Sequence, residues 1–173
     1  MRITKLIGLM LLILTLLAIG SVSAQSETAS GGPTLTLTEA DINASFELSV
    51  PNTASVSDIT LEGVDLLATG EVQISFSATF HSPNGGDRHL NIIAVLIGLL
   101  RSRGTVYQLQ QATITNVTDG TSNTIMFGES EARRYSFVAN AFNRYLRAEA
   151  QAAGIRGRTE TVSNDESITI LGL

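Results

Sequence analysis

Residues Leu90 to Leu100 read LNIIAVLIGLL, an apolar run in which Asn91 is the one polar side chain. A bilayer span takes about 20 such residues, so a run this short belongs inside a protein or at an interface. The chain on either side reads as strand. Before it, Val72, Ile74, Phe76, Ala78 and Phe80 alternate with Gln73, Ser75, Ser77, Thr79 and His81. That period of 2 places the apolar set on one face of a half-buried strand. After it, Thr105 to Thr115 is polar-rich again. The central strand has two apolar faces. Ile92, Ala94, Leu96, Gly98 and Leu100 form one, and Ile93, Val95, Ile97 and Leu99 form the other. Each face needs cover, from another element, a partner chain or an apolar ligand.

The chain opens with a secretory leader pattern. Arg2 and Lys5 precede an apolar core from Leu6 to Ile19, and Ser21 to Ala24 supplies the small residues of a cleavage site. Cleavage is expected between Ala24 and Gln25, which places the mature protein outside the cytoplasm, secreted or periplasmic. Residues 25–33 are small and polar and read as a linker, leaving 34–173 as one domain. With no cysteine, the domain has no disulfide and must rely on its core.

Charge divides the mature chain. From Gln25 to Asp87 there are nine acids and no cation; from Arg88 onward there are nine arginines and seven acids. An acidic protein is a poor general binder of nucleic acid. The arginine-bearing half can meet an anionic surface locally, or the two halves can neutralise each other in the fold.

Thr38 is a helix N-cap by its neighbours. Glu39 and Asp41 follow in the first turn, Thr38 and Asp41 have capping-box spacing, and Leu37 and Ile42 are placed as a hydrophobic staple. That helix is expected over Glu39 to Glu47, before Pro51. Ser55 to Leu61 reads as a strand, and His81 to His89 as a hairpin tip built on Pro83, Asn84, Gly85 and Gly86. Asn116 to Glu131 reads as a loop or hairpin. Tyr135 to Ala153 is the longest helix, with Val138, Phe142, Tyr145 and Leu146 at helical spacing and Gly154 at the C-cap. Arg158 to Val162 and Ser167 to Leu171 read as a terminal hairpin or one bent strand. The class is α+β: a curved antiparallel sheet packed on one long C-terminal helix, with a short N-terminal helix.

Catalytic signatures are sparse. His81, Asp87 and His89 flank one loop and carry metal-ligand chemistry, but polar residues at a solvated hairpin tip are the usual explanation for them, and no metal site is assigned. A nucleophilic triad needs Ser, His and a carboxylate in reach of one another. There is no G-x-S-x-G elbow, and Ser82 beside His81 points to the opposite face of a strand. Glu129 and Glu131 share a face if extended. No phosphate-binding or dinucleotide glycine loop is present, so no cofactor is expected. Asn43-Ala-Ser45 and Asn116-Val-Thr118 match the glycosylation acceptor pattern.

Two resemblances add to this reading. LTLTEADINASF, TGEVQISFSATF, RGTVYQLQQATI, the helix FVANAFNRYLRAEA and the terminal ITILGL resemble small secreted bacterial proteins related to the LmeA-like phospholipid-binding family. The resemblance implies half of a tubular lipid-binding (BPI-like) fold, a curved antiparallel sheet wrapped on a long helix. The insertion from Asn116 to Arg134 departs from it. Locally, Val117 to Glu129 is similar to a segment of a pseudopilin-like family, although the prepilin start of that family is absent here.

The expectation is therefore a non-enzymatic extracytoplasmic protein that holds a lipid or other amphiphile, with contact to a membrane surface and none to nucleic acid. Its site would be Ile93, Val95, Ile97 and Leu99 from the strand with Val138, Phe142 and Leu146 from the helix. The rival is a structural or assembly protein of the cell envelope using strand 90–100 as a subunit interface.

Overall fold

A computed structural model describes residues 32–48, 56–81, 86–116, 122–126 and 129–173, and the side chains of these except 115–134. The leader and most of the linker, Pro51, the hairpin tip at 82–85 and most of the loop after Asn116 lie outside the described residues. So do the side chains of Glu129 and Glu131.

The elements run β1 (Thr34–Thr38), α1 (Glu39–Ser45), β2 (Val56–Leu66), β3 (Val72–His81), β4 (Asp87–Arg101), β5 (Gly104–Asn116), β6 (Ser122–Met126), α2 (Glu129–Ala152), β7 (Thr159–Ser163) and β8 (Ser167–Gly172). One sheet contains every strand, in the order β1-β8-β7-β5-β4-β3-β2, with β6 also beside β5. The meander from β2 to β5 is antiparallel throughout. The alternation in β3 buries Val72, Ile74, Phe76 and Ala78, and their β4 partners Leu96, Ala94 and Ile92 lie on the same inner face.

The sheet curls until its two end strands meet the same short helix. α1 follows β1 directly. It starts at the Thr38 cap, where the Asp41 N–H donates to Thr38 Oγ1 and Asp41 Oδ2 accepts from the Thr38 N–H (3.0 Å) and hydroxyl (2.6 Å). Those two bonds, the hydroxyl's first, hold the Asp41 carboxyl below its ordinary pKa. From α1, Asn43 reaches across to β2. Its amide accepts the Val64 N–H (2.8 Å) and donates to the Val64 carbonyl (2.6 Å), while Glu39 Oε2 accepts the Leu66 N–H (2.9 Å). Helix side chains thus satisfy strand-edge groups that would otherwise need another strand.

α2 lies along the inner face. Its Val138 and Phe142 are fully buried, and Leu146 and Ala150 nearly so. Phe142 is the hub: its ring meets Phe46 after α1 at 5.5 Å, Tyr107 on β5 at 5.2 Å and Tyr145 at 6.2 Å. Gly98 on β4 leaves the space for Tyr107, whose ring would lie 3.4 Å from any Cβ built there. The helix closes in a Schellman motif: Gly154 has φ 78°, its N–H donates to the Gln151 carbonyl, and the Ile155 N–H donates to the Ala150 carbonyl at 2.8 Å.

The class is α+β with an antiparallel-dominated sheet, but the expected architecture of a curved antiparallel sheet packed on one long helix needs correction. Strands make up 57% of the described residues, in a curled half-barrel rather than a sheet with helices layered on one side. One junction is parallel, Gly104 against Thr159. The reason is topological: α2 carries the chain from β5 and β6 back to β7, and a helical crossover returns the next strand parallel. Two strands also differ from expectation. Thr34–Thr38 forms β1 against β8, and β2 runs past Gly63 to Leu66 with two register shifts.

Candidate functional site

The seven residues expected to form one apolar site fall on opposite sides of the sheet. Val138, Phe142 and Leu146 sit on α2 inside the curl. Ile93, Val95, Ile97 and Leu99 project from the outer face of β4, the last three half-buried and Ile93 exposed at 38%. The outer set is a ridge one strand wide. Its cross-strand neighbours are Ser75 and Gln73 on β3 and Thr113, Gln111, Gln108 and, opposite Leu99, the apolar Val106 on β5. Polar side chains therefore border the ridge along most of its length, and the sheet's own thickness separates it from α2.

Of the seven, Leu146 alone lines a large hollow formed among the described residues. This is an open groove of about 860 Å³ between the C-terminal half of α2 and the starts of β5 and β7. Such a volume is within the range of small-molecule sites. It opens where the sheet is incomplete. Among the described residues β7 pairs with β5 at Gly104 only, and β6 pairs with β5 only from Gln111 onward. Between them, β5 has no strand on that edge. Gly104 makes the single approach possible, since a Cβ there would lie 2.3 Å from the Thr159 carbonyl oxygen. Beyond it, side chains replace the ladder. Asn143 on α2 accepts the Tyr107 N–H (2.9 Å) and donates to the Tyr107 carbonyl (2.8 Å), and Thr105 Oγ1 accepts the Thr161 N–H (2.9 Å).

The groove's lining is amphipathic. Val106, Phe137, Leu146, Ala150, Ile155 and Ile170 supply apolar wall, and Arg103, Arg144, Arg147 and Arg156 supply charge; among the described residues no Asp or Glu lines it. Arg144, Arg147 and Gln151 follow helical spacing along one side of α2. Among the described residues these arginines form no ion pair with a carboxylate within 4.0 Å. The charge division seen along the sequence thus gathers four of its arginines around one groove. Deeper in, burial raises the Tyr107 hydroxyl's pKa, against the hydroxyls of Thr161 and Ser163, which are themselves buried without a well-aligned partner.

His81, Asp87 and His89 come onto one face of the β3/β4 hairpin, but each imidazole has its own partner. His81 Nδ1 lies 2.7 Å from Asp87 Oδ1, and His89 Nδ1 lies 2.9 Å from Thr79 Oγ1. No group of three or more His, Asp or Glu among the described residues could hold a metal ion. No helix among them is long and apolar enough to cross a membrane.

The groove arginines were the residues that sequence reasoning did not single out. Their available signal was the charge asymmetry itself, with every cation beyond Lys5 lying after residue 87. Comparison with protein-family models, with curated proteins and with solved structures found no match to this chain.

Proposed function

We propose that this chain is an extracytoplasmic binding protein that holds an anionic amphiphile, a lipid with a charged head, in the groove between α2 and the β5/β7 junction. The observation that carries the reading is the pairing of an apolar wall with four arginines and no carboxylate in one open hollow. An acyl chain removes apolar wall from water at about 25 cal/mol per Å². A phosphate or carboxylate head meets guanidinium groups that bind such anions in bidentate fashion. The leader places the protein where membrane lipids are within reach, and the resemblance to the LmeA-like family points to the same class of ligand.

The test is a titration with dodecyl phosphate and with dodecyl maltoside, on wild type and on the Arg144→Gln/Arg147→Gln double variant. Wild type binds the phosphate more tightly than the maltoside. The double variant loses roughly tenfold or more in phosphate affinity, since one charge-assisted bond contributes about 1.5–3 kcal/mol, and keeps its urea midpoint. Equal affinity for both detergents, or no change in the variant, overturns the reading.

A further inference from the structure

We propose that Ser57, His81 and Asp87 form a second, hydrolytic site that cleaves small carboxylic esters by acyl transfer to Ser57. The three residues come from three neighbouring strands, β2, β3 and β4, and meet on one face of the sheet. Ser57 Oγ lies 2.9 Å from His81 Nε2, and His81 Nδ1 lies 2.7 Å from Asp87 Oδ1. That is the connectivity of nucleophile, base and orienting carboxylate, a constellation defined by geometry rather than by order in the chain.

Two further observations fall at the same spot. Asp58, next to Ser57, has φ 51°, the one non-glycine residue among those described with a positive φ. It sits where the β2/β3 register shifts between Ser57 and Thr60. Backbone held in a sparsely populated region concentrates at functional sites, and bulges re-aim side chains there. Beside it is a hollow of about 220 Å³ whose lining includes Asp58, Thr79, His89 and Asn91. It shares no lining residue with the arginine groove. Ser57, His81 and Asp87 do not line it themselves; it adjoins them through Asp58, its size suits a short acyl group, and the Asn91 amide carries a donor there.

The Ser57 hydroxyl has one proton and two acceptors in reach, His81 Nε2 and Asp58 Oδ2 at 2.8 Å. In the productive arrangement His81 is neutral, its Nδ1–H donates to Asp87, and Ser57 donates to Nε2. Oγ then attacks the ester carbonyl carbon while its proton passes to Nε2. The carbon–oxygen bond to the alcohol breaks, and the alcohol leaves with that proton. Water attacks the acyl-Ser57 ester, gives its proton to Nε2, and the acid departs as Ser57 recovers its hydrogen.

The experiment treats the exported protein with an alkyl fluorophosphonate, maps the adduct by peptide mass spectrometry, and follows p-nitrophenyl acetate hydrolysis. The proposal expects one adduct, on Ser57. Ser57→Ala takes up none, and His81→Gln, which has no base, labels and hydrolyses at least ~100-fold more slowly with an unchanged urea midpoint. No adduct, an adduct on another residue, or wild-type rates in a folded His81→Gln would overturn it. If His81→Gln fails to fold, the position of the adduct on wild type and its absence from Ser57→Ala decide the matter.

Discussion

The two edges of β5 are built differently. Toward β4 it makes twelve register pairs, from Leu90 against Asn116 to Arg101 against Gly104. On the other edge it meets β7 at Gly104 and β6 from Gln111 to Thr115, and between these the Asn143 amide stands in for a strand at Tyr107. A strand satisfies every second backbone group along an edge and leaves no gap. One amide satisfies one residue and leaves the remaining width open. The closed edge makes core, and the interrupted edge makes the groove.

The largest expected effect is at the hub that clamps α2 to β5. Phe142 is fully buried among Phe46, Tyr107 and Tyr145. Phe142→Asp puts an unpaired carboxylate there, and the domain should unfold or lose several kcal/mol in urea titration. A mild loss would mean that water reaches this point and that the contrast between the two edges is overstated.

Asn143→Ala should cost about 2–3 kcal/mol, because it strands an N–H and a carbonyl at the buried Tyr107. Asn43→Ala removes the same device from the α1 seam, where solvent can replace the bonds, and should cost about 1 kcal/mol. Equal urea midpoints for the two variants would erase the distinction.

The α1 seam gives a smaller, pH-dependent effect. Thr38→Ala should cost about 1 kcal/mol near neutral pH through loss of the cap. Bonds from Thr38 lower the Asp41 pKa in the folded state. The stability they contribute is therefore present above the unfolded carboxylate pKa and is lost as pH falls through the folded one. The gap between wild type and variant should narrow on acidification. The smallest effect is on the outer ridge: Ile97→Ser, opposite Gln108 on β5, should stay within about 1 kcal/mol, whereas Leu96→Ala on the inner face should cost about 2–5 kcal/mol.

Much of the fold could be read from period and caps. The Thr38 cap with Asp41, the alternation in β3 and the Gly154 terminus are local patterns, and local patterns survive folding. β1 escaped because its five residues merge into the helix signal that begins at Thr38. The parallel β5/β7 contact escaped because it depends on how far α2 carries the chain, which periodicity does not encode. The placement of the seven apolar residues is illegible in the sequence for a related reason. Alternation tells which residues of β4 share a face, but not that Ile93, Val95, Ile97 and Leu99 turn away from α2. Nor could spacing reveal the groove, since Arg103 and Arg156 are neighbours only through the crossover.

The most direct test of the groove uses the absence of tryptophan from the chain. Gln151→Trp places a sole indole in the groove lining, and Val162→Trp places one at a strand position that is 58% exposed and outside that lining. On adding dodecyl phosphate, the Gln151→Trp emission should shift to the blue and saturate, while the Val162→Trp emission stays put. A shift at both positions, or at neither, would contradict binding in the groove.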